Sequence, residues 1–124
     1  MGLCSSALAN VANYLVEKRP FGTLTVPGYR YLGPGNHYPN GAPVNFLDSV
    51  AMEHDRMYGV AEQLEGRARV QKFIEADALF VHRLATHHRY ATLGETVLAR
   101  LARVAIGWVK RSRERRLASM TDAQ

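Results

Sequence analysis

The chain has 124 residues, 47% of them apolar and 22% charged, with a formal net charge of +5. That length suits one compact domain and excludes two ordinary ones, and the composition excludes a disordered or low-complexity protein. The single cysteine, Cys4, excludes an internal disulfide and a cysteine-based zinc site. The fold must then hold by packing alone, which favours helices around one core. No apolar run approaches the roughly 20 residues needed to span a bilayer, so the chain does not cross a membrane by itself.

The opening Met-Gly-Leu-Cys-Ser-Ser matches the N-myristoylation pattern through Gly2 and Ser6, with Cys4 available for a second acyl chain. Two chains anchor stably where one binds only marginally; the alternative is an ordinary start with an inert thiol. Leu8, Val11, Ala12 and Leu15 fall at helical spacing and predict a helix over 5–18, stopped by Pro20 and Gly22. Residues 1–22 are therefore taken as an N-terminal helical segment. From Thr23 to Ala42 the chain is rich in Gly, Pro and Tyr and has no clear period. A loop of that length inside a compact domain suggests a functional one, and its glycines can take unusual backbone angles.

A helix is predicted from Pro43 to about Glu65, with Asn45 and Asp48 in a capping arrangement at its positive end. Leu47, Val50, Ala51, His54, Tyr58 and Ala61 form one stripe, and His54 and Tyr58, four apart, project the same way. Asp55 sits at the stripe's edge. Gly66 breaks the pattern, and a second helix is expected from about Val70 to His88 with Phe73, Ala76, Asp77, Phe80, Val81 and Leu84 on its apolar side. Asp77 is the odd member, because a buried carboxylate is costly unless partnered. Placing it beside His54 and Tyr58 gives all three a partner. Residues 23–90 are accordingly read as the functional core.

The last segment, 91–124, reads as a basic amphipathic helix from Thr92 to about Leu117. Its expected buried stripe is Leu93, Val97, Leu101, Val104, Ala105 and Trp108, with arginines and lysines on the other faces. Between Arg100 and Arg116 seven basic residues (Arg100, Arg103, Lys110, Arg111, Arg113, Arg115, Arg116) meet one acid, Glu114. Such a segment suits an anionic lipid surface or nucleic acid, or is simply a solvated face.

The loop and the two helices together outline a site. Calcium takes six to eight oxygen ligands, often backbone carbonyls with a carboxylate. Tyr31, Gly33 and Gly35 can turn alternate carbonyls inward, and Asp55 can close the site from the helix. Histidine titrates near neutrality and can act as general base toward water. Asp77 on the other ring nitrogen would fix its tautomer, with Tyr58 donating a hydroxyl to that carboxylate. The metal would polarise an ester carbonyl and offset the developing oxyanion.

The run Tyr31-Leu32-Gly33-Pro34-Gly35-Asn36, then Gly41, Pro43-Val44-Asn45, Asp48, Ala51, His54-Asp55 and Tyr58, followed by Ala76-Asp77-Ala78 and Phe80, closely resembles the phospholipase A2 domain of parvoviral minor capsid proteins. The resemblance covers about residues 26–85. It implies that His54 activates water, that Asp77 orients it, and that Tyr58 supports Asp77. It also implies that calcium is held by Asp55 with the carbonyls of Tyr31, Gly33 and Gly35, and that the Gly33 amide helps hold the oxyanion. The reaction implied is hydrolysis of the sn-2 ester of a glycerophospholipid, used by a virus to breach a membrane during entry. The absence of disulfides agrees with the viral branch of the superfamily. Between Tyr58 and Asp77 the chain carries Gly66-Arg67-Ala68-Arg69 where many viral members have Asn-Pro-Tyr, and neither the start nor the segment beyond about Arg89 is explained by the shared motif.

The expected fold is all-α: two antiparallel helices carrying the site, a calcium loop before them, and flanking helices at both ends. A β-hairpin has no sequence support. The expected partners are a phospholipid membrane surface and viral capsid proteins, with nucleic acid the weaker reading and a virion or endosomal-membrane location. The competing function is a catalytically silent module that keeps the fold and docks on membrane or nucleic acid. Asp48 is adequately explained as a helix-start residue, and His37, His82, His87 and His88 are assigned no role.

Overall fold

The structure, a computed structural model, describes residues 26–33 and 38–120. Three helices make up its regular structure: α1 (Phe46–Glu62), α2 (Gly66–Thr86) and α3 (Leu93–Ser119), with no strand among the described residues. The all-α expectation holds. The helix predicted over 5–18, the acylation candidates Gly2 and Cys4, and Gly35 in the loop lie outside the described residues.

Two of the three helices start where the sequence supplies a side-chain partner for the first free amides. Asn45 caps α1, its side-chain oxygen accepting from the Asp48 amide at 2.9 Å. Thr92 caps α3 by accepting from the Glu95 amide at 3.0 Å. The second helix begins at Gly66 itself, four residues earlier than the hydrophobic period suggests. Gly66 has φ +59°, a left-handed angle that costs glycine little, and this lets the chain turn back within three residues of the end of α1.

The turn makes α1 and α2 antiparallel. His54 meets the Phe80 ring at 4.8 Å while Tyr58, one turn on, meets Phe73 at 4.7 Å. The stripes expected for both helices are the ones that pack: Leu47, Val50, Ala51 and Ala61 from α1, and Phe73, Ala76, Phe80 and Leu84 from α2, are buried. Tyr31 and Leu32 of the loop join this core, as does Ala99 of α3.

The third helix contradicts its expected orientation. Leu93, Val97, Leu101 and Val104 are 80%, 48%, 62% and 66% exposed, Ala105 is exposed, and Trp108 is only half-buried. The line that faces inward is Glu95, Ala99, Ala102, Ile106, Val109 and Arg113. The reason is polar. Glu95 is buried with its Oε2 accepting from the Leu47 amide at 3.1 Å and its Oε1 from the Ala91 amide at 2.8 Å. Arg113 is buried against α1 and α2. Rotating α3 to bury its larger apolar stripe would strip those partners, and a buried polar group left unpaired costs more than an exposed leucine. The alanines on the inward line let α3 approach closely. No described helix is long and apolar enough to cross a membrane.

Candidate active site

The loop before α1 is held by one carboxylate. Asp48, fully buried on the first turn of α1, accepts from the amides of Tyr31 at 2.8 Å, Leu32 at 3.2 Å and Val44 at 3.0 Å, and both its oxygens lie 3.2 Å from the Arg30 amide. Asp48 therefore does more than begin a helix. The same stretch is tied through its carbonyls as well: the Arg30 carbonyl accepts from Asn40 Nδ2 at 2.9 Å and the Leu32 carbonyl from the Val26 amide at 2.7 Å. Tyr31 is buried, its hydroxyl donating to the Gly41 carbonyl at 2.5 Å and accepting from the Asn40 amide at 2.7 Å. Gly33 has φ +134°, a conformation that favours glycine.

On the helices, His54 and Asp77 come together. His54 Nε2 lies 2.7 Å from Asp77 Oδ1, both residues being buried. Tyr58 donates its hydroxyl to the same Oδ1 at 2.5 Å and stacks tilted on the His54 ring at 4.1 Å. Enclosure of the Tyr58 hydroxyl, with the Asp77 carboxylate beside it, pushes its pKa well above the ordinary phenol value, so it remains a donor. With Asp77 ionised, Nε2 carries the proton in that bond, which leaves Nδ1 as the basic nitrogen of a neutral imidazole.

A residue that the sequence shows only as one of seven basics in the last helix completes this cluster. Arg113 of α3 donates from Nη1 to Asp77 Oδ2 at 2.9 Å and also to the Tyr58 hydroxyl oxygen. Its guanidinium carbon lies 4.2 Å from the Phe73 ring centroid and 4.8 Å from that of Tyr58. The available signal was spacing: eighteen residues, five helical turns, separate Glu95 from Arg113, so the two charges share one line with small and apolar residues between them. His87, assigned no role from the sequence, stacks on Phe46 at 3.7 Å.

Asp55 is buried one residue after His54. Its carboxylate, like the backbone carbonyls of Tyr31 and Gly33, is a hard oxygen donor, the chemistry that suits calcium and not zinc or copper. No group of three or more His, Cys, Asp or Glu side chains capable of holding a metal occurs among the described residues, so a site built from side chains alone is not present there. These donor types fit calcium, and Asp55 with the carbonyls of Tyr31 and Gly33 would be the described residues to hold it.

The phospholipase A2-like domain family matches residues 22–99. The capsid protein VP1 of Junonia coenia densovirus is 44% identical over 64 residues, which are 52% of this chain and 7% of that protein. The minor capsid protein VP1 of human bocavirus 3 is 41% identical over 64 residues, 52% of this chain and 9% of that protein, and porcine parvovirus capsid protein VP1 is 57% identical over 35 residues, 28% of this chain and 5% of that protein. The chain thus matches only a small part of the length of these relatives. No solved structure matches it significantly. With the matched segment covering more than half of the sequence, the chain belongs to the phospholipase A2-like domain family.

Proposed function

We propose that this chain is a calcium-dependent phospholipase A2 that hydrolyses the sn-2 ester of glycerophospholipids, acts within a viral capsid protein, and serves to breach a membrane during entry. The observation that carries the reading is the buried His54–Asp77 bond at 2.7 Å. A histidine and a carboxylate paired out of water, with a tyrosine on the same oxygen, cost desolvation energy that a purely structural core could avoid with apolar residues. The family match and the VP1 relatives support the same assignment.

In this mechanism Asp77 fixes the His54 ring with Nε2–H as donor, so that Nδ1 takes the proton from the attacking water. Asp77 also stabilises the imidazolium that forms, and Tyr58 holds the carboxylate in place. His54 then returns the proton to the leaving alkoxide as the tetrahedral intermediate collapses to lysophospholipid and fatty acid. Calcium, when held by Asp55 and the loop carbonyls, supplies positive charge to the ester carbonyl and its developing oxyanion. The amide of Gly33 would be the protein's own donor to the same oxygen.

The test is turnover of phosphatidylcholine vesicles labelled in the sn-2 chain, at millimolar calcium and with chelator. Calcium-dependent release of the labelled fatty acid is expected, with His54→Gln slower by about two to four orders of magnitude, the usual worth of a general base. Absence of lysophospholipid at millimolar calcium would overturn the enzyme reading, and full activity in His54→Gln would overturn the mechanism.

A further inference from the structure

We propose that Arg113 is a positioning residue of this site: from α3 it holds Asp77 in the orientation that points Oδ1 at His54. The inference rests on the phospholipase reading for its kinetic consequence, while the geometry stands by itself. Asp77 is fully buried and Arg113 is 1% exposed. The two carboxylate oxygens have separate partners, Oδ2 taking Arg113 Nη1 at 2.9 Å and Oδ1 taking both His54 and Tyr58. Arg113 also donates to the oxygen of the Tyr58 hydroxyl, which itself donates to Oδ1. Arg113, Tyr58 and Asp77 form a closed ring of hydrogen bonds with His54 attached at Oδ1, so the carboxylate cannot turn away from His54 without giving up its ion pair.

The pairing is not optimised as simple glue between helices. Arg113 Nε is buried with no hydrogen-bond partner among the described residues, and the pair is made through one nitrogen instead of the two-pronged fork that gives arginine–carboxylate pairs their greatest strength. What this arrangement secures is direction. The guanidinium is held at Tyr58 and Phe73, and from there Nη1 reaches Asp77 and Tyr58 together. Charge points the same way: Asp77 beside a neutral imidazole alone would be an uncompensated buried anion, and Arg113 removes that penalty. The family match ends at residue 99, so this group is supplied from outside the matched segment. The site is therefore assembled from three helices, not two.

The experiment compares Arg113→Met, Arg113→Lys and Arg113→Ala in the full chain, with two readouts. The first is kinetic. Arg113→Met is expected to lower kcat roughly 10- to 100-fold, the usual cost of a supporting residue beside a catalytic group, with KM and calcium affinity unchanged. Arg113→Lys should retain part of the rate, and added guanidinium, below unfolding concentrations, should raise turnover of Arg113→Ala saturably where ethylammonium does not. The second is the proton NMR signal of His54 Nε2–H, which needs no turnover: it should stand downfield in the wild type and shift or broaden in Arg113→Met, or in Arg113→Lys if the methionine variant does not fold. An unchanged Nε2–H signal overturns the proposal, as does failure of guanidinium to rescue. If the wild type hydrolyses nothing, the phospholipase reading falls and the NMR comparison alone decides the positioning of Asp77.

Discussion

Asp48→Asn is the sharpest probe of how the loop is held. The change is isosteric and removes only the charge and one acceptor. Asp48 Oδ1 takes the amides of Tyr31 and Leu32, Oδ2 takes that of Val44, and the Arg30 amide is shared between them. If the asparagine carbonyl stands in for Oδ1, the bonds to Tyr31 and Leu32 survive as neutral ones, each falling from about 1.5–3 kcal/mol to about 1 kcal/mol. The amide NH2 then faces the Val44 N–H across a former 3.0 Å bond, donor against donor, and a buried unsatisfied donor costs about 1–3 kcal/mol. Together the variant should lose about 2–7 kcal/mol, and Asp48→Ala more, because every one of those amides is then orphaned. Urea unfolding followed by circular dichroism measures the first quantity. Calcium titration of turnover measures the second: the loop carries Tyr31 and Gly33, so the variant should need more calcium for half-maximal rate. A stability within about 0.5 kcal/mol of wild type, together with an unaltered calcium requirement, would refute the claim that this carboxylate organises the loop.

Three further outcomes are expected. Tyr58 keeps its proton in the folded chain beyond the pH near 10 at which an unfolded tyrosine ionises; its contribution to stability is thus complete below that pH and is lost as pH rises toward the folded value. Unfolding of wild type and Tyr58→Phe at pH 9 and 11 should show the wild type falling faster, by up to about 1.4 kcal/mol per pH unit; parallel pH curves would show that the hydroxyl is not enclosed. Glu95→Gln puts an NH2 against either the Leu47 or the Ala91 amide and should cost about 1–3 kcal/mol in urea unfolding, whereas an unchanged midpoint would mean Glu95 does not join α1 to α3. Leu101→Lys and Val104→Lys, on the outer face of α3, should change stability by no more than about 0.5 kcal/mol; losses above about 2 kcal/mol would return those residues to the core.

The parts of the fold that rest on period and capping were legible in the sequence. The α1 and α2 stripes, the Asn45 cap and the pairing of Asp77 with His54 all follow from residues three, four or seven apart and from the cost of an unpartnered acid. What failed was the choice between two faces of α3. Hydrophobicity favoured Leu93, Val97, Leu101 and Val104, but the inward line is decided by what Glu95 and Arg113 meet on other helices, and no local rule names a partner 36 or 48 residues away. For the same reason Arg113 was indistinguishable in composition from Arg111 and Arg115, which are exposed. Asp48 was misjudged more narrowly: its place at the start of α1 was correct, but its main bonds run backward to Arg30, Tyr31 and Leu32.

These cases share a physical cause. A chain with one cysteine has no internal covalent joint, and three buried acids take up that task. Asp48 joins the loop to α1, Glu95 joins the start of α1 to the start of α3, and Asp77 gathers α1, α2 and α3 at the site. A one-residue rotation of α3 would move Glu95 and Arg113 off their partners at once, since both lie on one line about 27 Å long at 1.5 Å per residue. Apolar contacts tolerate such a rotation, because leucine and alanine faces repack, but a buried carboxylate and a buried guanidinium do not. The ion pair that fixes α3 is also the one that fixes Asp77 against His54. Orientation of the helix and orientation of the histidine are therefore one structural decision, made at Arg113.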